Sequence, residues 1–287
     1  MSKPKISLVL GGGGARGFAH IGVIERLKKE FEIVSIAGTS IGALVGGLEA
    51  VGKLEEYKNW LSNMEFTDMV KYLQFNMKRG EKRVNLNLEK IFHQLEQWTS
   101  GVKIEELPIK YTAVAVDLNR EREVWFQKGD LLTAIRASIA IPGIFPPVEM
   151  EGRTLVDGGI LNLLPVGATI PDESDLVVAV DLFGDRPIAS YSFPLTELET
   201  LKLSHQIWNR FFREKNSIME RAISLMMEVI LRYRQAEFEP DIHIKIPKDV
   251  AKWYEFYKAK PLIEIGYFIA EEYLHRYHLR QLYQGRE

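Results

Sequence analysis

The chain has 287 residues, 46% of them apolar and 26% charged, with a formal net charge of −2. These proportions are typical of globular proteins and exclude disordered and fibrous classes. Nucleic-acid backbones normally bind a surplus of Lys and Arg, so we expect no nucleic-acid partner. Without cysteine, the chain has no disulfide, thiolate nucleophile or cysteine-based metal site.

The first residues lead into only a short apolar run, whereas a secretory signal needs roughly 7–15 apolar residues. No segment approaches the about 20 apolar residues that span a bilayer. The sequence therefore predicts a cytoplasmic protein whose membrane contact, if any, is peripheral. It does not indicate an oligomeric state.

Strands and helices alternate in the first part of the chain. Residues 6–10 are an unbroken apolar run typical of a buried strand, and 18–31 carry a helical apolar stripe. A second strand is predicted at 33–37 and a second helix at 41–51. Short connections between such elements imply right-handed crossovers and a parallel sheet. Later elements are predicted at 111–116, 176–182 and 241–246 (strands) and at 131–139 and 261–278 (helices).

We expect a single domain over 1–287, an α/β fold with three α/β/α layers and a central, mostly parallel sheet. Its core would comprise about 6–182 and 241–287, with a helical insertion or lid at about 187–240. In that insertion Trp208, Phe211 and Phe212 suit an interfacial helix, and Met219, Met226 and Met227 suit an adaptable acyl pocket. The alternative is that these large side chains pack a core or a subunit interface.

A glycine run, Gly11 to Gly14 followed by Ala-Arg-Gly, lies between the first strand and helix. Its spacing fits a dinucleotide-binding loop, but the second strand lacks the acidic residue that would bind ribose. The same backbone can instead form a nest of amides that stabilises an oxyanion. A tight turn without a ligand is the third alternative.

Gly38-Thr39-Ser40-Ile41-Gly42 matches the G-x-S-x-G nucleophile elbow at a strand-to-helix junction. A sharp turn there would expose the Ser40 hydroxyl at the N-terminus of the next helix, where the dipole favours negative charge. The alternative is a serine that only caps this helix.

The base for Ser40 has two candidates. Of the six histidines, only His20 lies near the motif in sequence, and it could equally be a packed residue of the first helix. Asp157, followed by Gly158 and Gly159, comes after an apolar strand. Taken alone, this Asp-Gly-Gly is also typical of an ordinary turn.

Together these segments resemble the patatin-like phospholipases. The resemblance covers roughly 6–182 and rests on blocks in the family's order: Gly12-Gly13-Gly14-Ala15-Arg16-Gly17, then Gly38 to Gly42, then residues 137–147 leading to Asp157-Gly158-Gly159. It implies a Ser40–Asp157 dyad, and an oxyanion hole from the loop formed by Gly12, Gly13, Gly14, Ala15 and Arg16. Gly17, Gly38, Gly42, Gly158 and Gly159 would be motif glycines.

The resemblance implies a serine esterase that acts on acyl esters of phospholipids, lysophospholipids or neutral lipids through an acyl-enzyme. No metal and no cofactor are expected for this chemistry. The partner would be a lipid or lysophospholipid substrate. A nucleotide- or phosphate-binding α/β protein, a transacylase and a catalytically silent lipid-binding protein are the alternatives.

Overall fold

The computed structural model describes residues 2–63, 73–78, 81–86, 88–192 and 218–284. The strands are β1 (Lys5–Leu10), β2 (Glu32–Thr39), β3 (Leu73–Lys78), β4 (Glu81–Leu86), β5 (Lys110–Asp117), β6 (Arg122–Phe126), β7 (Val148–Met150), β8 (Arg153–Asp157), β9 (Leu176–Gly184) and β10 (Ile242–Pro247). The α-helices are α1 (Ala19–Leu27), α2 (Ile41–Ala50), α3 (Leu54–Ser62), α4 (Leu88–Thr99), α5 (Leu131–Ser138), α6 (Ile218–Glu237) and α7 (Ala259–Gln284).

The central sheet has the strand order β10-β9-β1-β2-β5-β8-β7, and β6 also pairs with β5. The run from β10 to β5 is parallel, while β6, β7 and β8 are antiparallel additions. The predicted mostly parallel α/β sheet is therefore confirmed. The sequence did not reveal β6, β7 or the separate β3–β4 hairpin, because these short strands lack a continuous apolar run.

Two apolar layers cover the two faces of this sheet. Alternate residues of β1 point to opposite sides: Leu8 and Leu10 belong to the main core, which includes residues of α1, α2 and α7. Val9 belongs to a smaller cluster with Leu163 and with Leu231 of α6. Because apolar side chains pack on both faces, the chain forms the expected three-layer α/β/α arrangement.

Most predicted elements agree with the structure to within a few residues. The first helix is shorter than predicted: Gly14–Phe18 is a 3-10 helix, and α1 ends at Leu27. Within the predicted insertion, the structure describes α6, while residues 193–217, with Trp208, Phe211 and Phe212, lie outside the described part. The division into a core and an insertion stays a prediction.

Candidate active site

Ser40 lies between β2 and α2. Its backbone has φ 57° and ψ −126°, a conformation that residues other than glycine rarely adopt. Such left-handed backbone costs a non-glycine residue of order 1–3 kcal/mol and is typical of functional sites. Ser40 occupies the N-cap position, but its side chain makes no capping hydrogen bond. The capping alternative therefore does not describe what this hydroxyl does.

The turn around Ser40 requires glycine because backbones pass close to one another. A Cβ atom on Gly42 would lie 2.1 Å from the Leu10 carbonyl oxygen of β1. Other motif glycines lie in similarly tight places, where a Cβ atom would approach another residue to 2.2–2.5 Å: Gly17 against Ile41, Gly38 against Gly42 and Gly158 against Val114. These glycines let β1, the elbow and β5 pack against one another at the site.

Asp157 is the hydrogen-bond partner of the Ser40 hydroxyl. Ser40 Oγ donates to Asp157 Oδ2 at 2.5 Å, and Gly159 N donates to Asp157 Oδ1 at 2.7 Å. Both side chains are buried. The two residues are brought together by β5, where Thr39 pairs with Val114 and Asp157 pairs with the next residue, Ala115.

The environment of Asp157 makes it a better base than an exposed aspartate. Burial raises the pKa of Asp157 to about 6, and the hydrogen bonds from Ser40 and Gly159 lower it only in part. A base whose pKa lies near the working pH combines a deprotonated population with useful proton affinity. The ordinary aspartate pKa of about 3.9 would give much less proton affinity.

The glycine loop lies beside Ser40: a Cβ atom on Gly12 would be 3.2 Å from Ser40 Cβ. Two loop amides are already engaged, since Gly12 N donates to Leu163 O and Ala15 N to Trp253 O. The amides of Gly13 and Gly14 make no backbone hydrogen bond to the described residues. Gly14 has φ 60°, which suits glycine. The amides of Gly13 and Gly14 are therefore available as hydrogen-bond donors, while the oxyanion hole itself stays a prediction.

Arg16 supports this loop through its side chain. Its Nε donates to Gly13 O at 3.3 Å, and its guanidinium stacks on the Phe183 ring, 4.2 Å from the centroid. Burial lowers the pKa of Arg16 to about 10, although Glu228 and Asp181 act to raise it. The arginine therefore remains charged at neutral pH and adds positive charge at the loop.

His20 has a structural contact instead of a contact with the serine. Its Nε2 donates to the Gly11 carbonyl at 2.8 Å, and the side chain is fully buried. Burial lowers the pKa of His20 to about 4, so the ring is neutral near pH 7. The structure thus brings Asp157, and not His20, within hydrogen-bond reach of Ser40 Oγ.

Ser138 is a site residue whose contact the sequence did not indicate. At the end of α5, its hydroxyl accepts from Ser40 N at 2.9 Å and donates to Val114 O at 2.6 Å. Asn162 is a second such residue, because its backbone carbonyl accepts a hydrogen bond from Thr39 Oγ1 at 2.9 Å. Ser138 lies in the block 137–147 and Asn162 lies within the range that the resemblance covers, but their roles depend on contacts across the fold.

Of the methionines predicted to line an acyl pocket, Met227 lies at the site. Its Cε would be 3.0 Å from a Cβ atom on Gly159, and the side chain packs on the Leu163 cluster. Met226 is exposed, and the side chain of Met219 lies outside the described part.

Within the described residues, no group of three or more His, Asp or Glu could hold a metal ion. No helix in the same part is long and apolar enough to cross a membrane.

Comparison with known proteins decides the family. The family model described as patatin-like phospholipase matches residues 8–170 of this chain, which include Ser40 and Asp157. The chain belongs to the patatin-like phospholipase family. Family membership accounts for the joint occurrence of the glycine loop, the elbow and the Asp-Gly-Gly turn in this order.

Several known proteins are similar to the chain. An uncharacterized NTE family protein of Mycobacterium bovis is 46% identical over 186 residues, covering 64% of this chain and 51% of that protein. The lysophospholipase NTE1 of Meyerozyma guilliermondii is 27% identical over 289 residues, covering 95% of this chain and 19% of that protein. The chain thus spans about half the length of the mycobacterial relative and about a fifth of the yeast one.

Among solved structures, VipD from Legionella pneumophila is similar, with a TM-score of 0.45 and 14% sequence identity. The alignment covers 96% of this chain and 67% of VipD.

Proposed function

We propose that this chain is a serine hydrolase of lipid acyl esters, of the phospholipase A or lysophospholipase type. The observation that carries the proposal is the 2.5 Å hydrogen bond from Ser40 Oγ to the buried Asp157 carboxylate. Family membership and the similarity to proteins named lysophospholipases support a lipid ester as the substrate.

In the first half of the reaction, Ser40 Oγ attacks the ester carbonyl carbon while its proton passes to Asp157 Oδ2. The negative charge that develops on the carbonyl oxygen is stabilised by the amides of Gly13 and Gly14, at a few kcal/mol per donor. The N-terminus of α2 points at Ser40 and adds a favourable dipole. Collapse of this intermediate expels the alcohol, which takes the proton from Asp157 and leaves an acyl-Ser40 ester.

In the second half, Asp157 accepts a proton from water as the water oxygen attacks the acyl carbonyl. The same amides stabilise the second oxyanion. Breakage of the acyl–Oγ bond releases the fatty acid, and Asp157 returns the proton to Ser40. Asp157 therefore acts as base and then acid in each half, and its raised pKa suits both roles.

The test is fluorophosphonate labelling followed by intact-mass analysis, run beside p-nitrophenyl ester hydrolysis. We expect wild type to gain one label, and Ser40→Ala to gain none and to lose turnover by at least about 10³-fold. Asp157→Asn should lose turnover similarly. Ser62→Ala, which changes an exposed serine at the end of α3, is the matched control and should label like wild type.

Labelling or turnover that persists in Ser40→Ala would contradict the proposal. An added acceptor alcohol distinguishes a transacylase, which would transfer the acyl group to it at the expense of free fatty acid.

A further inference from the structure

His20 is a buried titratable side chain that the proposed reaction does not use. It lies in the first turn of α1 and is fully buried, with its Nε2 2.8 Å from Gly11 O. Because a carbonyl oxygen only accepts hydrogen bonds, the ring carries a proton on Nε2. Burial lowers the pKa of His20 to about 4, so the neutral ring keeps this single proton near pH 7 and leaves Nδ1 bare. His20 is therefore a fixed donor to Gly11.

The other ring nitrogen of His20 has no such contact. Nδ1 is buried and makes no hydrogen bond to the described residues. A buried polar atom without a partner costs about 1–3 kcal/mol. An apolar side chain would remove this cost, but it would also remove the donor to Gly11 O. The feature that distinguishes His20 from an apolar residue is therefore its bond at the start of the glycine loop.

This bond fixes the peptide group at which the glycine loop begins. The Gly11 carbonyl and the Gly12 N–H belong to one planar peptide unit. The carbonyl accepts from His20, and the N–H donates to Leu163 O at 2.9 Å. Gly11 N is held as well, because it donates to Val180 O at 3.0 Å. A planar unit that is bonded at both of its polar ends cannot rotate freely, so the loop leaves β1 in one orientation.

The next amides along the chain depend on this orientation. Gly13 N and Gly14 N make no backbone hydrogen bond to the described residues, whereas Ala15 N donates to a backbone carbonyl at 2.8 Å. Glycine has the widest choice of φ and ψ, so two unbonded glycine amides keep one direction only when the chain on both sides is held. His20 holds the upstream side and Ala15 the downstream side. Arg16 Nε adds a bond to Gly13 O between them.

The helix that carries His20 is itself firmly packed. α1 crosses α7 so closely that a Cβ atom on Gly22 would lie 1.9 Å from Ile263 O. The Gly11 carbonyl also lies against the elbow, since a Cβ atom on Gly42 would be 2.8 Å from Gly11 O. His20 therefore joins a packed pair of helices to a carbonyl between the glycine loop and the elbow. Groups on packed elements position a site more precisely than groups on loops.

We propose that His20 is a positioning residue of this site, whose Nε2–H bond to Gly11 O directs the amides of Gly13 and Gly14 at the oxyanion that forms on the ester. The inference rests on the proposed hydrolase function. His20 touches no substrate and transfers no proton. Preorganised donors stabilise the charge of the transition state, so loss of their orientation raises the barrier and leaves ground-state binding nearly unchanged. The effect of His20 therefore belongs in kcat and not in KM.

Two substitutions by unbranched side chains of similar size separate the hydrogen bond from the packing. His20→Met removes the donor, whereas His20→Gln keeps an N–H at the same number of bonds from the backbone. We expect His20→Met to lower kcat for a p-nitrophenyl ester at least about tenfold, with KM within about twofold of wild type. His20→Gln should recover most of kcat. Equal kcat losses in both variants would overturn the role of the bond.

Thr99→Val is the control for loss of a buried hydrogen bond away from the site, because Thr99 Oγ1 donates to Leu95 O at 2.7 Å. Like His20→Met, it should lower the free energy of unfolding by about 1 kcal/mol. Unlike His20→Met, it should leave kcat unchanged. A kcat loss in His20→Met no larger than that in Thr99→Val would show that His20 only stabilises the fold.

Two measurements on the resting protein do not depend on turnover. Nitrogen NMR of histidine-labelled wild type should show His20 as the neutral Nε2–H tautomer at pH 7, with its signals identified by their loss in His20→Gln. The Nδ1–H tautomer would overturn the proposal. Hydrogen exchange of the Gly12 amide should be about tenfold faster in His20→Met, the effect of one lost hydrogen bond. Unchanged exchange would overturn the proposal as well.

Failure of the proposed function is distinguishable from failure of this role for His20. Wild type that hydrolyses no ester would overturn the hydrolase and with it any oxyanion. Wild type that hydrolyses esters, together with an unchanged kcat in His20→Met, would overturn the positioning role alone.

Discussion

Contacts from residues far apart in sequence hold Ser40, the proposed nucleophile, in place. Ser40 is held at positive φ by a hydrogen bond from its own N–H to Ser138 Oγ, and its hydroxyl is directed by Asp157. The Ser138 hydroxyl in turn donates to Val114 O, so it joins α5, β5 and the elbow. Because all of these groups are buried, each unmet hydrogen bond would be costly.

Ser138→Ala should therefore lower kcat more than it changes KM. Loss of the hydroxyl removes the hydrogen-bond partner of the buried Ser40 N–H and a donor to Val114 O, at about 1–3 kcal/mol of unfolding free energy. The resulting shift of the nucleophile should lower kcat by about ten- to a hundredfold. The measurements are steady-state kinetics and urea unfolding, with Ser138→Thr expected to restore much of kcat.

Thr99→Val is the control for this substitution, because Thr99 Oγ1 is a buried hydroxyl that donates to Leu95 O. It should lose stability and keep its kcat. A kcat loss that simply follows the unfolding free energy in both variants would show that Ser138 has only a structural role.

The raised pKa of Asp157 predicts the pH dependence of ester hydrolysis. The carboxylate must be deprotonated to accept the Ser40 proton, and its pKa is raised to about 6. Activity should therefore fall as the pH drops through this value, and kcat/KM should follow a single ionisation with a midpoint near 6. Initial rates on a soluble ester measure it, and a midpoint near the ordinary aspartate value of about 3.9 would contradict it.

At the scale of elements, β5 organises the site. Its N-terminal half pairs with β2 and its C-terminal half with β8, so one strand positions both Ser40 and Asp157. On its other side β5 pairs with β6. The antiparallel strand β8, which ends at the Asp-Gly-Gly turn, thus brings Asp157 to Ser40.

The crossing of α1 and α7 depends on two glycines. A Cβ atom on Gly22 would lie 1.9 Å from Ile263 O, and one on Gly266 would lie 2.0 Å from Ala19 O. Gly22→Ala should lower the unfolding free energy by at least about 3 kcal/mol, because two backbones would have to separate. Denaturant unfolding measures this change.

Gly101→Ala provides the comparison, because Gly101 has φ 74° and nothing within 4 Å of an added Cβ atom. It should cost about 1 kcal/mol, the strain of left-handed backbone alone. Equal losses for the two substitutions would show that the helix crossing does not require glycine.

At the scale of the whole molecule, α6 packs one side against the interior near the candidate site and exposes the other side to solvent. Met227 and Leu231 of this helix pack in the cluster that includes Val9 and Leu163. In contrast, Leu225, Met226 and Tyr233 are exposed. Exposed apolar side chains beside a site for lipid esters would suit contact with lipid aggregates. We therefore expect α6 to mediate the peripheral membrane contact that the composition allows.

Leu225→Glu and Met226→Glu should each weaken co-sedimentation with phospholipid vesicles by about tenfold, since burying one such side chain in lipid contributes about 1.5–3 kcal/mol. Ile170→Glu is the matched control, because Ile170 is equally exposed on another part of the chain. A wild-type protein that does not sediment with vesicles, or equal weakening by Ile170→Glu, would refute a membrane role for α6.

The sequence by itself determined the parallel part of the sheet and the candidate nucleophile. Buried parallel strands are continuous apolar runs, and the elbow and the glycine loop are local patterns whose glycines are required by close backbone contacts. Asp157 was identified through the family resemblance, because an Asp-Gly-Gly turn alone has many uses. The strands, the elbow and the glycine loop are each recognised from a few consecutive residues, so the sequence suffices to predict them.

Only the tertiary structure decided which loop amides are engaged, what holds Ser40 in place and how acidic Asp157 is. Gly12 N and Ala15 N bond to carbonyls of residues far along the chain, and Ser138 reaches Ser40 across 98 positions. The pKa of Asp157 is set by burial, which depends on the packing of the whole domain.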